Sequence, residues 1–303
     1  MWLHGAIPVV DCHGDISSVS DDIIDAFRTI GFVYLQNFGV PDAEIAEVFR
    51  AADNFWNLPA HLKNNYAKPK DYAHDGYTGY VGPNVEILDA QNKKEVRESY
   101  DIAPYDQKGM ILPDEVIPNF SECMLTFMHK CHRVAIEVLR DVAVALNFED
   151  PDFFSKLHQL QADRENLSSL RLLHYPPMPL DADDDTGRLG VHTDYGTITL
   201  LFQDDVGGLE VCNKSNQFVP AAPLPNSVLV NVGDLLQRWS DDRIVAVKHR
   251  VLVPKDRQLW SRERRSVALF VHPDSDYQIA SSGSYSPTTS KKHLLDMFSQ
   301  TFY

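Results

Sequence analysis

The first third of the chain alternates short apolar runs with segments whose apolar residues recur at helical spacing. The runs IPVVD (7–11) and FVYLQNF (32–38) predict strands, because they are short and rich in β-branched and aromatic residues. Between them, Ser20 and the two aspartates after it predict a capped helix start, and Gly31 predicts the end of that helix. A second helix is expected to begin at Pro41, behind which apolar residues again recur at helical spacing.

The pattern changes twice in the rest of the chain. Residues 71–93 hold three glycines, one proline and no regular period, which predicts a long loop of the kind that often acts as a lid. Residues 119–147 carry an apolar stripe and predict a long helix. Short β-forming runs separated by turn residues follow, which predict a sandwich or barrel, and a last helix is expected over about 290–299. The β-forming runs are LRLLHY (170–175), TITLLF (197–202), LEVCN (209–213), SVLVNV (227–232), AVKHRVLV (246–253) and RSVALFV (265–271).

The size of the chain allows a large core. With 303 residues, 44% of them hydrophobic, it is long enough for one large domain or two small ones. Because the helices precede the predicted sheet, we expect them to pack on one of its faces and form an α+β unit.

Charge and cysteine content narrow the class of protein. The formal charge of −15 repels phosphate backbones and anionic lipid, which disfavours binding to nucleic acid or to a membrane surface. No apolar run approaches the roughly 20 residues of a membrane span, and the first residues lack the features of a signal peptide. Four scattered cysteines without a CxxC pair indicate reduced thiols. We therefore expect a soluble cytoplasmic protein.

Candidate chemistry is concentrated in GVHTDYGTITLLFQD (190–204). His192 and Asp194 are costly to bury, yet they open a run of aliphatic and β-branched residues. In an extended strand they project from one face, which suits a pair of metal ligands, an acid/base pair or a solvated strand end. His249 lies in a later predicted strand on an apolar face. Two histidines and one carboxylate form the facial triad of non-haem Fe(II) oxygenases, which leaves positions open for O2 and a reductant.

The final predicted strand places an arginine and a serine together. Arg264, Ser266, Ala268 and Phe270 share one face, whereas the alternate residues are mostly apolar and should pack on helices. A guanidinium inside a barrel needs a partner, and a carboxylate ligand supplies one because arginine binds carboxylates in a bidentate fork. Pairing with one of the chain's many acidic side chains is the alternative.

The motifs His192-x-Asp194, His249 and Arg264-x-Ser266, in this order, resemble the isopenicillin N synthase-like branch of the 2-oxoglutarate/Fe(II) oxygenases. LRLLHYPP, GGLEV and VNVGDLLQRWS extend the resemblance through the C-terminal half, and IPVVD and GFVYLQNFGVP through the N-terminal part. The resemblance implies a double-stranded β-helix, or jelly roll, with Fe(II) as cofactor and with 2-oxoglutarate and O2 as cosubstrates. It implies that the metal ligands and catalytic residues are His192, Asp194 and His249. It implies that the residues binding 2-oxoglutarate are Tyr175, Arg264 and Ser266.

The same resemblance implies that residues 1–303 form a single oxygenase domain. Its expected parts are an N-terminal cap region over 1–118 with a lid loop at 71–93, a long-helix region over 119–165, the β-helix core over 166–275 and a C-terminal helix region over 276–303.

The residues around the substrate are also implied by resemblance. RLLHYP followed by HTDYGTITLLFQD is most similar, within the family, to thymine 7-hydroxylase-like enzymes, where the residues matching Arg171, Tyr195 and Phe270 contact a small flat substrate. Tyr195 lies off the inward face unless the strand ends at Asp194, which Gly196 permits. An inward arginine beside an aromatic ring suits a small polar molecule, either a nucleobase or an amino-acid-derived precursor. Alternatively, Arg171 pairs with a nearby acid and only shapes the pocket.

The expected function is oxidation of a small polar metabolite by hydroxylation or oxidative ring closure, with succinate and CO2 as coproducts, by a monomer. Two alternatives stay open: an iron oxidase of this fold that does not use 2-oxoglutarate, and a catalytically silent small-molecule-binding barrel. DADDDTG (181–187) is interpreted as a solvated loop, because the glycine and glutamate that a calcium loop needs are missing. Gly233 is interpreted as a turn glycine in front of a strand.

Overall fold

The computed structural model of the protein describes residues 7–69, 78–83, 85–86, 94–105, 110–161, 165–178, 186–253, 257–279 and 285–301. The α-helices are α1 (Ser20–Thr29), α2 (Asp42–Trp56), α3 (Ala60–Lys63), α4 (Phe120–Ala145), α5 (Phe153–Leu157), α6 (Asp234–Trp239) and α7 (Ser290–Thr301), with 3-10 turns at Ile16–Val19, Asn64–Tyr66 and Arg257–Ser261. The strands are β1 (Val9–Asp11), β2 (Phe32–Gln36), β3 (Gly79–Val81), β4 (Lys94–Glu95), β5 (Glu98–Ile102), β6 (Ser169–Tyr175), β7 (Thr186–Gly187), β8 (Leu189–His192), β9 (Ile198–Gln203), β10 (Leu209–Cys212), β11 (Phe218–Pro220), β12 (Ser227–Val232), β13 (His249–Val251), β14 (Arg264–Val271), β15 (Gln278–Ile279) and β16 (Thr288–Thr289).

Two sheets face each other across an apolar interior. The larger has eight strands in the order β1-β2-β12-β9-β14-β6-β5-β3, and the smaller has four in the order β11-β10-β13-β8. Pairing within both is antiparallel except between β1 and β2. Leu173 and Ala268 of the larger sheet share one buried cluster with Val211 and Val251 of the smaller. The space between the sheets is therefore the interior of a flattened barrel.

The other face of the larger sheet carries the long helix α4. Val267, Leu269 and Val271 of β14 belong to the main core together with the apolar stripe of α4. Phe127 of α4 meets Phe202 of β9 edge-on, with ring centres 5.1 Å apart. The predicted division of β14 into a helix-facing side and an inward side is confirmed.

Several element boundaries differ from the sequence prediction. Ser20 is the first residue of α1 and not its cap, because a 3-10 turn capped by Asp15 leads directly into the helix. The run 246–253 contributes only the three residues of β13 to the sheet. Gly233 precedes α6 and not a strand, so its interpretation as a turn before a strand was wrong.

The sequence prediction missed several short strands, among them β3, β5 and β11. β3 lies inside the segment 71–93 that was predicted to be a loop, and the rest of that segment is outside the described residues apart from 78, 82–83 and 85–86. β5 is buried at every position although three of its five residues are polar, so its sequence does not stand out as a β-forming run. The acidic segment 181–185 also lies outside the described residues.

Two expectations about the class of protein can be compared with the structure. Over the ranges given above, the structure contains no helix with the length and apolar character needed to cross a membrane. Cys12, Cys123, Cys131 and Cys212 are free thiols.

Candidate active site

His192 and His249 face each other across two antiparallel strands. They are direct partners in the pairing of β8 with β13, so both side chains project from the same face, and their ring centres lie 4.2 Å apart. Nδ1 of His192 lies 2.9 Å from the carbonyl oxygen of Gly190, and Nδ1 of His249 lies 3.1 Å from that of Val247. Because a carbonyl only accepts, each Nδ1 donates a hydrogen bond to it, which makes Nε2 the ring atom available to a metal.

Asp194 joins the two histidines from the loop after β8. The strand ends at His192, so the shared direction of His192 and Asp194 comes from the turn of the chain and not from strand alternation. Asp194 Oδ1 lies 3.8 Å from Nε2 of His192 and 3.6 Å from Nε2 of His249. One ligand atom from each residue lies within 4.8 Å of the others, and no other such group of three occurs in the described part of the chain. Two imidazole nitrogens and one carboxylate oxygen on one side fit Fe(II) with open positions.

Burial and neighbouring charges set the protonation of these three residues. Burial, reinforced by the adjacent His249, lowers the pKa of His192 to about 3. Burial alone would lower the pKa of His249, but the Asp194 carboxylate outweighs it and raises that pKa. Burial alone would raise the pKa of Asp194, but His249 and the amide of Asn231 hold it below its usual range. The site therefore presents a buried carboxylate anion to an incoming cation.

Asp194 is held in place by Asn231, near the end of β12, and by the residues that follow that strand. Asn231 Nδ2 donates to Asp194 Oδ2 at 2.7 Å, which leaves Oδ1 turned toward the histidines. At the start of α6, the backbone N–H of Asp234 donates to the carbonyl of Asp194 at 2.8 Å. Gly233 permits this approach, because a Cβ there would lie 2.3 Å from the carbonyl oxygen of Gly196. Sequence reasoning missed Asn231, although it is the one polar residue inside the apolar run VLVNV.

An inner cavity extends from the triad between the two sheets, and Tyr175, Arg264 and Ser266 line it. The buried guanidinium of Arg264 donates to the carbonyl of Gly207 at 2.9 Å, to Gln203 Oε1 at 3.2 Å and to Ser266 Oγ at 3.3 Å. All three acceptors are neutral, and Arg264 forms no ion pair with a described residue. A buried guanidinium held in this way fits a carboxylate ligand, because it is oriented but not neutralised.

A second, outer cavity is also lined by His192 and Asp194. Tyr195 and Phe270 line it together with Leu294 and Phe298 of α7. Because β8 ends at His192, Tyr195 is free of strand alternation and packs against Phe298, with ring centres 6.2 Å apart. The C-terminal helix therefore forms part of the cavity wall. Tyr77, placed in the lid by sequence reasoning, lies outside the described residues.

Arg171 also lines the outer cavity, and its guanidinium is paired with two acids. Nε and Nη2 donate to the two carboxylate oxygens of Asp101 at 2.7 and 2.9 Å, and Nη1 donates to Glu86 Oε1 at 3.1 Å. Its Cζ lies 5.5 Å from the centre of the Phe270 ring. Lys68 Nζ lies 3.5 Å from Asp101 Oδ2 at the same wall. Both features considered from the sequence, cavity lining and acid pairing, are thus present. Asp101 was missed because β5 was not predicted.

Comparison with known proteins gives the family. A model of the 2OG-Fe(II) oxygenase superfamily matches residues 166–273, and a model described as the N-terminal region of non-haem dioxygenases in morphine synthesis matches residues 7–119. The 2-oxoglutarate-Fe(II) type oxidoreductase ppzD of Metarhizium rileyi is 36% identical over 282 residues, which cover 86% of this chain and 78% of that protein. The chain belongs to the 2OG-Fe(II) oxygenase superfamily. The proline hydroxylase buaE of Petromyces alliaceus is 34% identical over 265 residues, which cover 84% of this chain and 81% of that protein.

Solved structures of the superfamily agree with this assignment. Full-length thymine 7-hydroxylase of Neurospora crassa, in complex with α-ketoglutarate, superimposes with a TM-score of 0.83 at 30% identity, over 99% of this chain and 98% of that one. A second structure of the same enzyme, which also holds thymine, gives a TM-score of 0.83 at 28% identity, over 99% of both chains. The barrel is therefore the double-stranded β-helix of this superfamily. The protein is a 2-oxoglutarate-dependent dioxygenase that uses Fe(II), 2-oxoglutarate and O2.

Proposed function

We propose that His192, Asp194 and His249 hold the Fe(II) of this oxygenase, and that Tyr175, Arg264 and Ser266 bind 2-oxoglutarate beside it. The observation that carries the proposal is the position of the triad between two cavities, since His192 and Asp194 line both. His192 and Asp194 therefore border both the cavity lined by Arg264 and Ser266 and the cavity lined by Arg171.

Each protein group then has a distinct task. Iron bound at this centre supplies the redox chemistry that couples O2 reduction to oxidation of 2-oxoglutarate and substrate. Arg264 and Ser266 hold the far carboxylate, so the 2-oxo acid end of the cosubstrate points toward the triad. For hydroxylation, one O2 and one 2-oxoglutarate give succinate, CO2 and one oxygen atom inserted into a C–H bond; for ring closure, two hydrogen atoms leave the substrate as water.

The proposed substrate is a small polar metabolite held by Arg171, Tyr195 and Phe270 in the outer cavity. Support comes from the wall of that cavity, which combines the Phe270 ring with the cations Arg171 and Lys68 and the acids Glu86 and Asp101. Such a wall offers donors and acceptors to a molecule that carries both. The thymine bound by the Neurospora enzyme and the proline hydroxylase among the relatives extend the candidates to nucleobases and cyclic amino acids.

We propose further that the enzyme acts as a monomer in the cytoplasm and does not bind nucleic acid. Support comes from the formal charge of −15, which disfavours phosphate backbones, and from the four free thiols.

The test is a metabolite screen in which the Fe(II)-loaded enzyme and 2-oxoglutarate meet candidate nucleobases and amino acids, with succinate and CO2 as the readouts. A true substrate raises both products and yields an oxidised product in equal amount. Arg264→Lys keeps the charge but loses the planar fork, so it should raise the KM for 2-oxoglutarate more than that for the substrate. Asp194→Ala should abolish turnover while the fold is kept. Normal turnover by Asp194→Ala, or unchanged 2-oxoglutarate affinity in Arg264→Lys, would contradict the proposal.

A further inference from the structure

Arg188, four residues before His192, is a buried cation without an acidic partner among the described residues. It has 0% exposure, and its Nη2 donates to the backbone carbonyl of Arg262 at 3.3 Å. Within the described ranges, its Nε and Nη1 have no hydrogen-bond acceptor and it forms no ion pair. An unpaired buried guanidinium strongly destabilises a fold, so its retention needs a compensating partner.

The other buried arginines near the site show what such compensation looks like. Arg97 pairs with Glu86 at 2.8 Å and with Glu95 at 3.3 Å, and Arg171 pairs with Asp101 and Glu86. Arg188 and Arg264 differ, since all acceptors that the described residues give them are neutral oxygens. Of these four arginines near the site, Arg97 and the partly buried Arg171 are neutralised by described acids, whereas Arg188 and Arg264 are not.

The two unneutralised arginines lie against the same ring. The Cζ of Arg264 is 5.0 Å and that of Arg188 is 6.0 Å from the ring centre of Tyr175. Burial, together with the charge of Arg264, lowers the pKa of Arg188 to about 10 against the opposing charge of Asp204, so the guanidinium of Arg188 is still charged at neutral pH. Two like charges held together in the interior repel each other, and an anion bound near them relieves the repulsion. An inorganic anion could supply the negative charge, but a 2-oxo acid with a far carboxylate supplies it and also places its 2-oxo acid end at the triad.

We propose that Arg188 is a second cation of the 2-oxoglutarate site, whose charge acts with that of Arg264 on the far carboxylate of the cosubstrate. This inference rests on the proposed function, because it assumes that 2-oxoglutarate occupies the inner cavity. It adds a residue outside the Arg264-x-Ser266 motif, contributed by the segment just before the first metal ligand.

The test compares two ligands on Mn(II)-loaded protein by calorimetric titration, which needs no turnover. One ligand is 2-oxoglutarate, and the other is 2-oxopentanoate, in which a methyl group replaces the far carboxylate. Arg188 adjoins Tyr175 but does not itself line the inner cavity, so its charge acts at longer range than a direct contact. Arg188→Met should therefore raise the Kd of 2-oxoglutarate by about 5- to 10-fold. It should leave the Kd of 2-oxopentanoate within about two-fold, and Arg188→Lys should recover most of the lost 2-oxoglutarate affinity.

Two further measurements separate this role from a structural one. Arg265→Met is the matched control, because Arg265 follows Arg264 on the opposite face of β14 and pairs with Asp53; its Kd for 2-oxoglutarate should be unchanged. Metal-free Arg188→Met should unfold at the same temperature as the wild type or higher, because the change removes an unpaired buried charge.

The outcomes are distinguishable. If the wild type does not bind 2-oxoglutarate, the proposed function fails. If the wild type binds it and Arg188→Met binds it equally well, or loses both ligands equally, only the role of Arg188 fails. An Arg188→Met protein that unfolds or melts at a lower temperature would also contradict the inference, since the residue would then stabilise the unliganded fold.

Discussion

The hydrogen bond from Asn231 to Asp194 gives the most direct prediction about the metal centre. Asn231→Leu keeps a side chain of similar size on β12 but removes the donor to Asp194 Oδ2. Both residues are buried, with exposures of 2% and 7%, so water does not replace the lost bond. A hydrogen bond to a buried charged group contributes about 1.5–3 kcal/mol. Without this hydrogen bond the Asp194 carboxylate is free to rotate, and Oδ1 no longer faces the two histidines.

The expected loss of metal affinity is therefore about 10- to 150-fold, in line with the usual effect of removing a partner of a metal ligand. The assay is a competitive titration of metal-free protein with Mn(II), and with Fe(II) under anaerobic conditions. The control is Thr199→Val, because Thr199 is the direct partner of Asn231 on β9 and loses a hydroxyl without a change in size. Metal affinity within about two-fold of the wild type in Asn231→Leu would refute the role of this hydrogen bond.

Three further predictions concern other parts of the fold. Arg171→Met should weaken substrate binding by about 1.5–3 kcal/mol and leave 2-oxoglutarate binding unchanged. If Arg171 only shapes the pocket, loss of its partner's charge in Asp101→Asn will weaken substrate binding as much as Arg171→Met does. Gly233→Ala should lower both stability, by about 1–3 kcal/mol, and metal affinity, because its Cβ would collide with the Gly196 carbonyl; a wild-type melting temperature would contradict this. Burial alone would raise the pKa of Glu98, but hydrogen bonds from His174 and Lys63 lower it to about 2. The ionised carboxylate therefore contributes its full amount to the free energy of unfolding above its ordinary pKa of 4.5, and this contribution is lost as the pH falls toward 2. Glu98→Gln should therefore be about 3 kcal/mol less stable than the wild type at neutral pH and nearly equal to it near pH 2, as measured by denaturant unfolding.

The candidate ligands could be predicted from sequence because each stands out against its surroundings. His192 and Asp194 interrupt an apolar run, and Arg264 and Ser266 alternate with the apolar residues of β14 that pack on α4. The way in which the ligands meet could not be predicted, because it depends on the pairing of His192 with His249 and on the end of β8. Strand pairing joins residues far apart in the chain, and no local pattern records it.

The supporting residues were harder to predict for different reasons. Asp101 lies on β5, where three of the five residues are polar, so the segment does not stand out as a β-forming run. Glu86 lies in a segment with no regular pattern, and Arg188 follows a run of aspartates that is typical of solvated loops. What identifies these residues is the presence or absence of an oppositely charged partner in the interior, which only the folded structure contains.

The two cavities differ in the parts of the chain that form them. The inner cavity is bounded by strands of the two facing sheets, whereas the outer one also receives Lys68 from the N-terminal third and Leu294 and Phe298 from the last helix. Sequence change at the two ends of the chain can therefore alter what is recognised without disturbing the cofactor machinery. Divergence of substrate preference among relatives is expected to concentrate in these end segments, and exchange of α7 between relatives is a route by which new specificity can arise in an unchanged barrel.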